Sequence, residues 1–92
     1  MRRRNMKAVV AVIGNDRVGI LAKVSAALAE KNANIVEMTQ SVLDGYFTMI
    51  VIVSIEEMVC SIDELQTYIK EKVGDMQVLV MHENIFNSMH RI

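Results

Sequence analysis

Asp44-Gly45 stands near the middle of the chain, and the pattern on one side of it repeats on the other. This pair accepts positive φ at both positions, so between two strand patterns it marks a two-residue hairpin. The flanking segments, residues 6–42 and 46–82, are equal in length, and each reads strand, helix, strand. In the first half, Lys7–Ile13 is almost wholly apolar and Val-rich, which predicts a strand buried on both faces. Gly14–Gly19 reads as a loop, with Asp16 as the expected helix N-cap. From Val18 to Lys31 the spacing turns helical: Ile20, Leu21, Val24, Ala27 and Leu28 form one face, and Lys23, Glu30 and Lys31 lie off it. Asn32 suits a left-handed stop. Asn34–Val42 mixes Ile35, Val36, Met38 and Val42 with Glu37, Thr39, Gln40 and Ser41, as expected of an edge strand with one wet face.

The second half opens with Tyr46–Ser54, another continuous apolar strand. Ser61-Ile62-Asp63-Glu64 has the form of a capping box, in which Ser61 and Glu64 each satisfy a free backbone N–H. Ile62, Leu65, Ile69 and Val73 line one face of the helix behind it, and Gly74 ends that helix. Gln77–His82 is the fourth strand. Glu83–Ile92 adds a short terminal helix with Ile85, Phe86 and Met89 as its apolar side. Two matched strand–helix–strand halves define an α+β, ferredoxin-like βαββαβ sandwich. The apolar strands 1 and 3 belong in the middle, so the antiparallel sheet is expected in the order 4-1-3-2, with right-handed crossovers and both helices on one face.

Composition limits what such a sandwich does. Hydrophobic residues make up 52% of the 92 residues but aromatics only 4%, so the core must be aliphatic and Met-rich. A chain this short buries only roughly 60–65% of the surface its unfolded form exposes. A mean hydropathy of +0.28 and an uncovered apolar sheet face therefore point to a partner subunit. The net charge is −1, which gives no basic field for nucleic acid; Arg2, Arg3 and Arg4 read as a solvated tail. The apolar runs Ala8–Ile13 and Tyr46–Val53 fall far short of the ~18–20 residues of a membrane span. The single Cys60 makes no internal disulfide, consistent with a cytoplasmic protein. Met6 offers a second start, with Met1–Asn5 expected as a disordered N-terminal extension and 6–92 as a single domain.

Several functions known for this architecture fail on their residues. A metal carrier needs a Cys pair in the first loop, where Asn15, Asp16, Arg17, Val18 and Gly19 stand instead. An RNA-binding sheet needs aromatics on strands 1 and 3; strand 1 has none, while Tyr46 and Phe47 begin strand 3. An acyl-phosphate hydrolase would use Arg17 and Gly19, but Asp16 repels the anion and no nucleophile or base adjoins it. His82 and His90 lack metal or triad spacing, and no enzyme or cofactor is expected. A small-molecule binding module remains. The first loop meets a helix N-terminus, whose free N–H groups and dipole favour a carboxylate. Gly14 and Gly19 permit close backbone approach, and Asp16 accepts from an ammonium. These residues also have a purely structural reading, in which Asp16 only caps the helix and Gly19 only permits tight packing.

The stretch Val12-Ile13-Gly14-Asn15-Asp16-Arg17-Val18-Gly19-Ile20-Leu21-Ala22-Lys23-Val24, followed by Asn34-Ile35 after the helix, resembles the ACT domain, a regulatory amino-acid-binding module. The block from Thr39 to Met49 and the tail Ile85-Phe86-Asn87-Ser88-Met89-His90 are similar to small stand-alone ACT-domain proteins related to the glycine cleavage system transcriptional repressor. The resemblance runs from Met6 to the C-terminus. It implies ligand contacts from Gly14, Asn15, Asp16, Arg17, Val18, Gly19, Ile20 and Leu21 of one subunit and from Asn34 and Ile35 of another. A helix over Val18–Lys31 is roughly 21 Å long, so Asp16 and Asn34 do not meet within one subunit. They meet across a two-fold axis if strand 2 pairs antiparallel with its mate. Ala22, Ser25, Ala26 and Ala29 give the first helix a small-residue face for such packing. The expectation is a homodimer that binds a small amino acid and signals to a regulated protein partner. The alternative is a ligand-free dimeric adaptor that docks onto such a partner. Val18 stands where Pro is frequent in the family loop, and Gly14 offers no side-chain ligand group.

Overall fold

The structure, a computed structural model, describes residues 6–15 and 19–89. Its order is β1 (Lys7–Asn15), α1 (Ile20–Glu30), β2 (Asn34–Leu43), β3 (Tyr46–Ser54), α2 (Ile62–Val73), β4 (Gln77–His82) and α3 (Glu83–Met89). The strands form one antiparallel sheet in the order β2-β3-β1-β4, as the matched halves require. The expected extension Met1–Asn5 lies outside the described residues. Strands β3 and β4 begin and end where the apolar patterns do. β1 runs two residues further than expected, so Gly14 and Asn15 are strand residues opposite Phe47 and Tyr46.

Alternation along the strands divides the sheet into two unlike faces. Ala8, Val10 and Val12 of β1 and Phe47, Met49, Val51 and Val53 of β3 face the helices. They meet Ile20, Val24, Ala27 and Leu28 of α1 and Leu65, Ile69 and Val73 of α2. Each such aliphatic side chain contributes about 1.5–3 kcal/mol when fully buried. The far face corrects the expectation that strands 1 and 3 are buried on both sides. There Ile50 and Ile52 are half-buried, and Ile13 is 40% exposed. Only Val9 disappears completely, because α3 folds back against β1 and β4.

Local chemistry sets most of the breaks. Asn32 takes φ 60°, Ala33 N–H donates to the Leu28 carbonyl and Asn32 N–H to the Ala29 carbonyl. This is a Schellman stop, completed by burial of both Leu28 and Ala33. Asp44 and Gly45 both have positive φ and turn the hairpin. The Ser61–Glu64 capping box is formed in both directions. The start of α1 is the exception. Its N-cap is Gly19 at φ 88°, with no side-chain cap, in place of the expected Asp16. Leu21 also departs from the expected buried face: it is 42% exposed. Among the described residues, no helix is long and apolar enough to cross a membrane.

Candidate ligand site

The resemblance placed the first loop at the centre of the site, and its three middle residues, Asp16, Arg17 and Val18, lie outside the described residues. The residues on either side define where that loop leaves and returns. Gly14 is the penultimate residue of β1, and the space a side chain would take there is filled. A Cβ on it would meet Met76 Sδ at 2.5 Å. Met76, 1% exposed, is in turn fixed by its backbone, since Lys70 Nζ donates to its carbonyl at 2.7 Å. Gly14 is thus explained by packing against a residue from the other half of the fold. Gly19 is explained differently: no atom crowds its Cβ position, but its backbone is left-handed. Ile20 turns its side chain into the core, and Leu21 faces outward beside the exposed Ala22. The first N–H groups of an α-helix have no partner within the helix, and α1 begins directly after Gly19.

Asn34 and Ile35 lie at the opposite end of the sheet. They pair with Ser54 and Val53, beside the start of β1, whereas Gly14 pairs with Phe47. At ~3.4 Å per residue the two groups stand about 24 Å apart along the strands. One chain does not bring them together. Gly14 and Asn15 lie on the central strand β1, whereas Asn34 and Ile35 lie on the outer strand β2, which α1 contacts. Ile35, Val36 and Val42 are exposed there, Val42 by 62%, and Leu21, Ala22, Ala26 and Ala29 are exposed on α1.

A cavity of about 260 Å³ opens at the loop end of the sheet, lined by Ile13, Gly14, Asn15, Tyr46, Asp75, Met76 and Gln77. The sequence reading did not include Tyr46, Asp75, Met76 or Gln77 in the site. Topology held the signal: β1 ends, the hairpin turns and β4 begins at one end of a ferredoxin-like sheet. Of the other reactive groups, Cys60 and His82 are described, and His90 lies outside the described residues. Burial pushes the Cys60 thiol above its ordinary range, opposing the thiolate that a nucleophile needs. His82 Nδ1 accepts from Asn84 N–H at 3.1 Å and caps α3. Among the described residues no group of three His, Cys, Asp or Glu side chains is placed to hold a metal.

The class of protein is that of a ferredoxin-like α+β domain whose loop at the end of β1 leads into a helix N-terminus. A family model described as the ACT domain matches residues 7–84, and the chain belongs to that family of regulatory ligand-binding domains. A UPF0237 protein of Listeria innocua is 45% identical over 89 residues, which cover 95% of this chain and all of that one. The solved ACT domain protein from Streptococcus pneumoniae matches with a TM-score of 0.74 and 33% identity, covering 95% of this chain and 100% of that one. A glycine cleavage system transcriptional repressor shares the fold with a TM-score of 0.72 at 14% identity; the match covers 89% of this chain and 49% of that protein.

Proposed function

We propose that this chain is a non-enzymatic, cytoplasmic regulatory module that binds a small amino acid between two copies of itself. The observation that carries the reading is the exposed apolar flank of α1 and β2, which runs between two groups of family site residues that one chain holds apart. Antiparallel pairing of two β2 edges brings Asn34 and Ile35 of each copy toward the first loop of the other. In that arrangement Asp16 holds the ammonium and the α1 N–H groups hold the carboxylate. Asn34 of the partner subunit closes the site, and the two sites are equivalent. A change in contacts with a regulated protein then reports occupancy. The fold shared with a glycine cleavage system transcriptional repressor supports a task of this kind in amino-acid metabolism.

The test is a thermal-shift screen against the free amino acids at millimolar concentration, with the molar mass in solution measured alongside. A ligand at 100 times its dissociation constant adds roughly 2.7 kcal/mol to stability. The reading expects a dimer and a selective shift that Asp16→Ala removes. Because α1 is capped at Gly19, this substitution deletes no N-cap of that helix. A dimer with no shift for any amino acid would favour the ligand-free adaptor, and a monomer would overturn both readings.

A further inference from the structure

The sheet face turned away from α1 and α2 is only half covered. α3 follows directly on His82, which pairs with Ala8 at the start of β1, and it lies against β1 and β4. Exposure on that face rises with distance from this end. Along β1, Val9 is 1% exposed, Ala11 is half-buried and Ile13 is 40% exposed; along β4, Met81 is half-buried and Leu79 is 48% exposed. Ile50 and Thr48 of β3 stand opposite Ala11 and Ile13, and Leu79 and Gln77 of β4 flank the same two residues on the other side. This open half carries no charged side chain on β1, β3 or β4. A hollow of about 270 Å³ opens in it, lined by Ala11, Ile13, Gln77, Val78 and Leu79; Ala11 is the small residue among larger ones. α3 has an exposed aliphatic side chain of its own, Ile85, at 55%. Pairing of β2 edges covers none of Ile13, Leu79 and Ile85.

We propose that two copies of this chain pair through this face, with α3 of each seated on the open half of the other's sheet. Sheets stack about 10 Å apart, and α3 already occupies that height with a helix about 10–12 Å thick, so full sheet-on-sheet stacking is blocked. A second α3 has the thickness to fill the space beside the first. Its Ile85 enters the hollow over Ala11, between Ile13 and Leu79. The contact is isologous, and a two-fold axis makes it twice. The open half, about five residues long on four strands, is roughly 300 Å² of sheet. Covering it in both copies buries roughly 1,000 Å² once the helix surfaces are included, which is the lower limit of a specific interface. The pairing is therefore weak and reversible. It leaves the β2 edge free and needs no bound amino acid, so it stands or falls separately from the dimer described above.

The experiment is sedimentation of the full chain from micromolar to millimolar protein, in the parent and in Val42→Lys, which charges the separate β2 edge. The expected result is an association step that persists in Val42→Lys. In that background Leu79→Lys, at a position exposed in the single chain, should weaken the step about tenfold or more, and Ile85→Glu should do the same. Leu79→Lys combined with Ile85→Glu should recover part of the loss, because the two new charges meet across the interface. No recovery would overturn the seating of Ile85 beside Leu79. A step weakened by Leu79→Lys but unmoved by Ile85→Glu overturns α3 as the occupant, and a step unmoved by Leu79→Lys overturns the face. If Val42→Lys stays monomeric to millimolar concentration while the parent is dimeric, this pairing falls and the β2 dimer stands. If Val42→Lys leaves the parent's association unchanged and Leu79→Lys removes it, this pairing stands and the β2 dimer falls. A parent that is monomeric throughout overturns both.

Discussion

The sheet has two outer strands, and the molecule treats them in opposite ways. β4 is short, and α2 closes it. Gln66 Oε1 accepts from the Val80 N–H at 2.8 Å, and Lys70 Nζ holds the Met76 carbonyl just before the strand begins. β2 is ten residues long. Its side chains Ile35, Val36 and Val42 are exposed, as are Leu21 and the alanines Ala22, Ala26 and Ala29 of α1. One irregularity interrupts it, a bulge at Val36 between the pairs Ile35–Val53 and Glu37–Ile52. Beyond the bulge, Glu37–Leu43 stays in unbroken register with β3 and is the stretch suited to pairing with another strand. Exposed edges are templates for association, and soluble domains usually blunt them. Here the two halves of a near-repeat differ in that respect, and the dimer proposed above would form through β2, not β4.

The strongest way to break the contrast is to charge the open edge. Val42→Lys places an ammonium at a position 62% exposed in the single chain, so the fold should persist with a change in stability within about 0.5 kcal/mol. In a two-fold assembly the residue occurs twice. Losing the burial of two valines at about 1.5–3 kcal/mol each weakens the dimer by roughly 100-fold or more. Sedimentation across a dilution series should show the variant as a monomer where the parent is dimeric; unchanged mass would remove β2 from the interface.

The closed edge is tested through its anchor. Gly14→Ala forces the Met76 thioether aside and should cost about 1–3 kcal/mol in chemical denaturation. Combining it with Met76→Ala, which alone costs about 2–5 kcal/mol, should cost less than the sum of the two, because the alanine methyl then occupies vacated space. Strict additivity would mean that the contact does not explain the glycine. Gln66→Ala is milder. It releases one edge N–H of β4 and should lower stability by about 1 kcal/mol. If α2 is what keeps β4 from associating, this variant should also gain mass with concentration, and failure to do so would assign the protection to the strand's shortness.

These contacts also show what was legible in the sequence. Hairpin, capping box and left-handed stop were readable because each is settled by neighbouring residues: Asp44 with Gly45, Ser61 with Glu64, and Asn32 behind Leu28. The strand order followed from counting apolar faces. The start of α1 was misplaced because Asp16 is a good capping residue in isolation. The observed cap is set by β1 running on to Asn15 and by the left-handed backbone at Gly19. Leu21 was assigned to the core because it follows Ile20 at the start of the apolar stripe, yet only Ile20 turns inward. The reason for Gly14 lay out of reach, since Met76 is distant in sequence and nothing local ties the two. The same distance hid the cavity, whose walls come from β1, the hairpin side of β3 and the start of β4.

The smallest expected effect concerns the bridge between the helices above the two edges. Tyr68 of α2 donates its phenol proton to Glu30 of α1, and the ammonium groups of Lys31 and Lys72 lie 4.3 and 4.9 Å from its ring centroid. The hydrogen bond to Glu30 raises the phenol above its ordinary value of 10.0, with smaller upward contributions from burial and from the charge of Glu30. A raised folded-state value means that the folded chain holds this proton more tightly than the unfolded chain. The contribution to stability is therefore complete below the ordinary phenol range and is lost as pH rises through the folded value. Alkaline absorbance titration should show one phenol ionising late, and Tyr68→Phe should remove that transition. The variant should also flatten the decline in stability above pH 10, and the small contribution it removes should be missing near neutrality. If the decline is unaltered, the tie between α1 and α2 contributes nothing measurable, and the helix over the open edge is held by its core face alone: Ile20, Val24, Ala27 and Leu28.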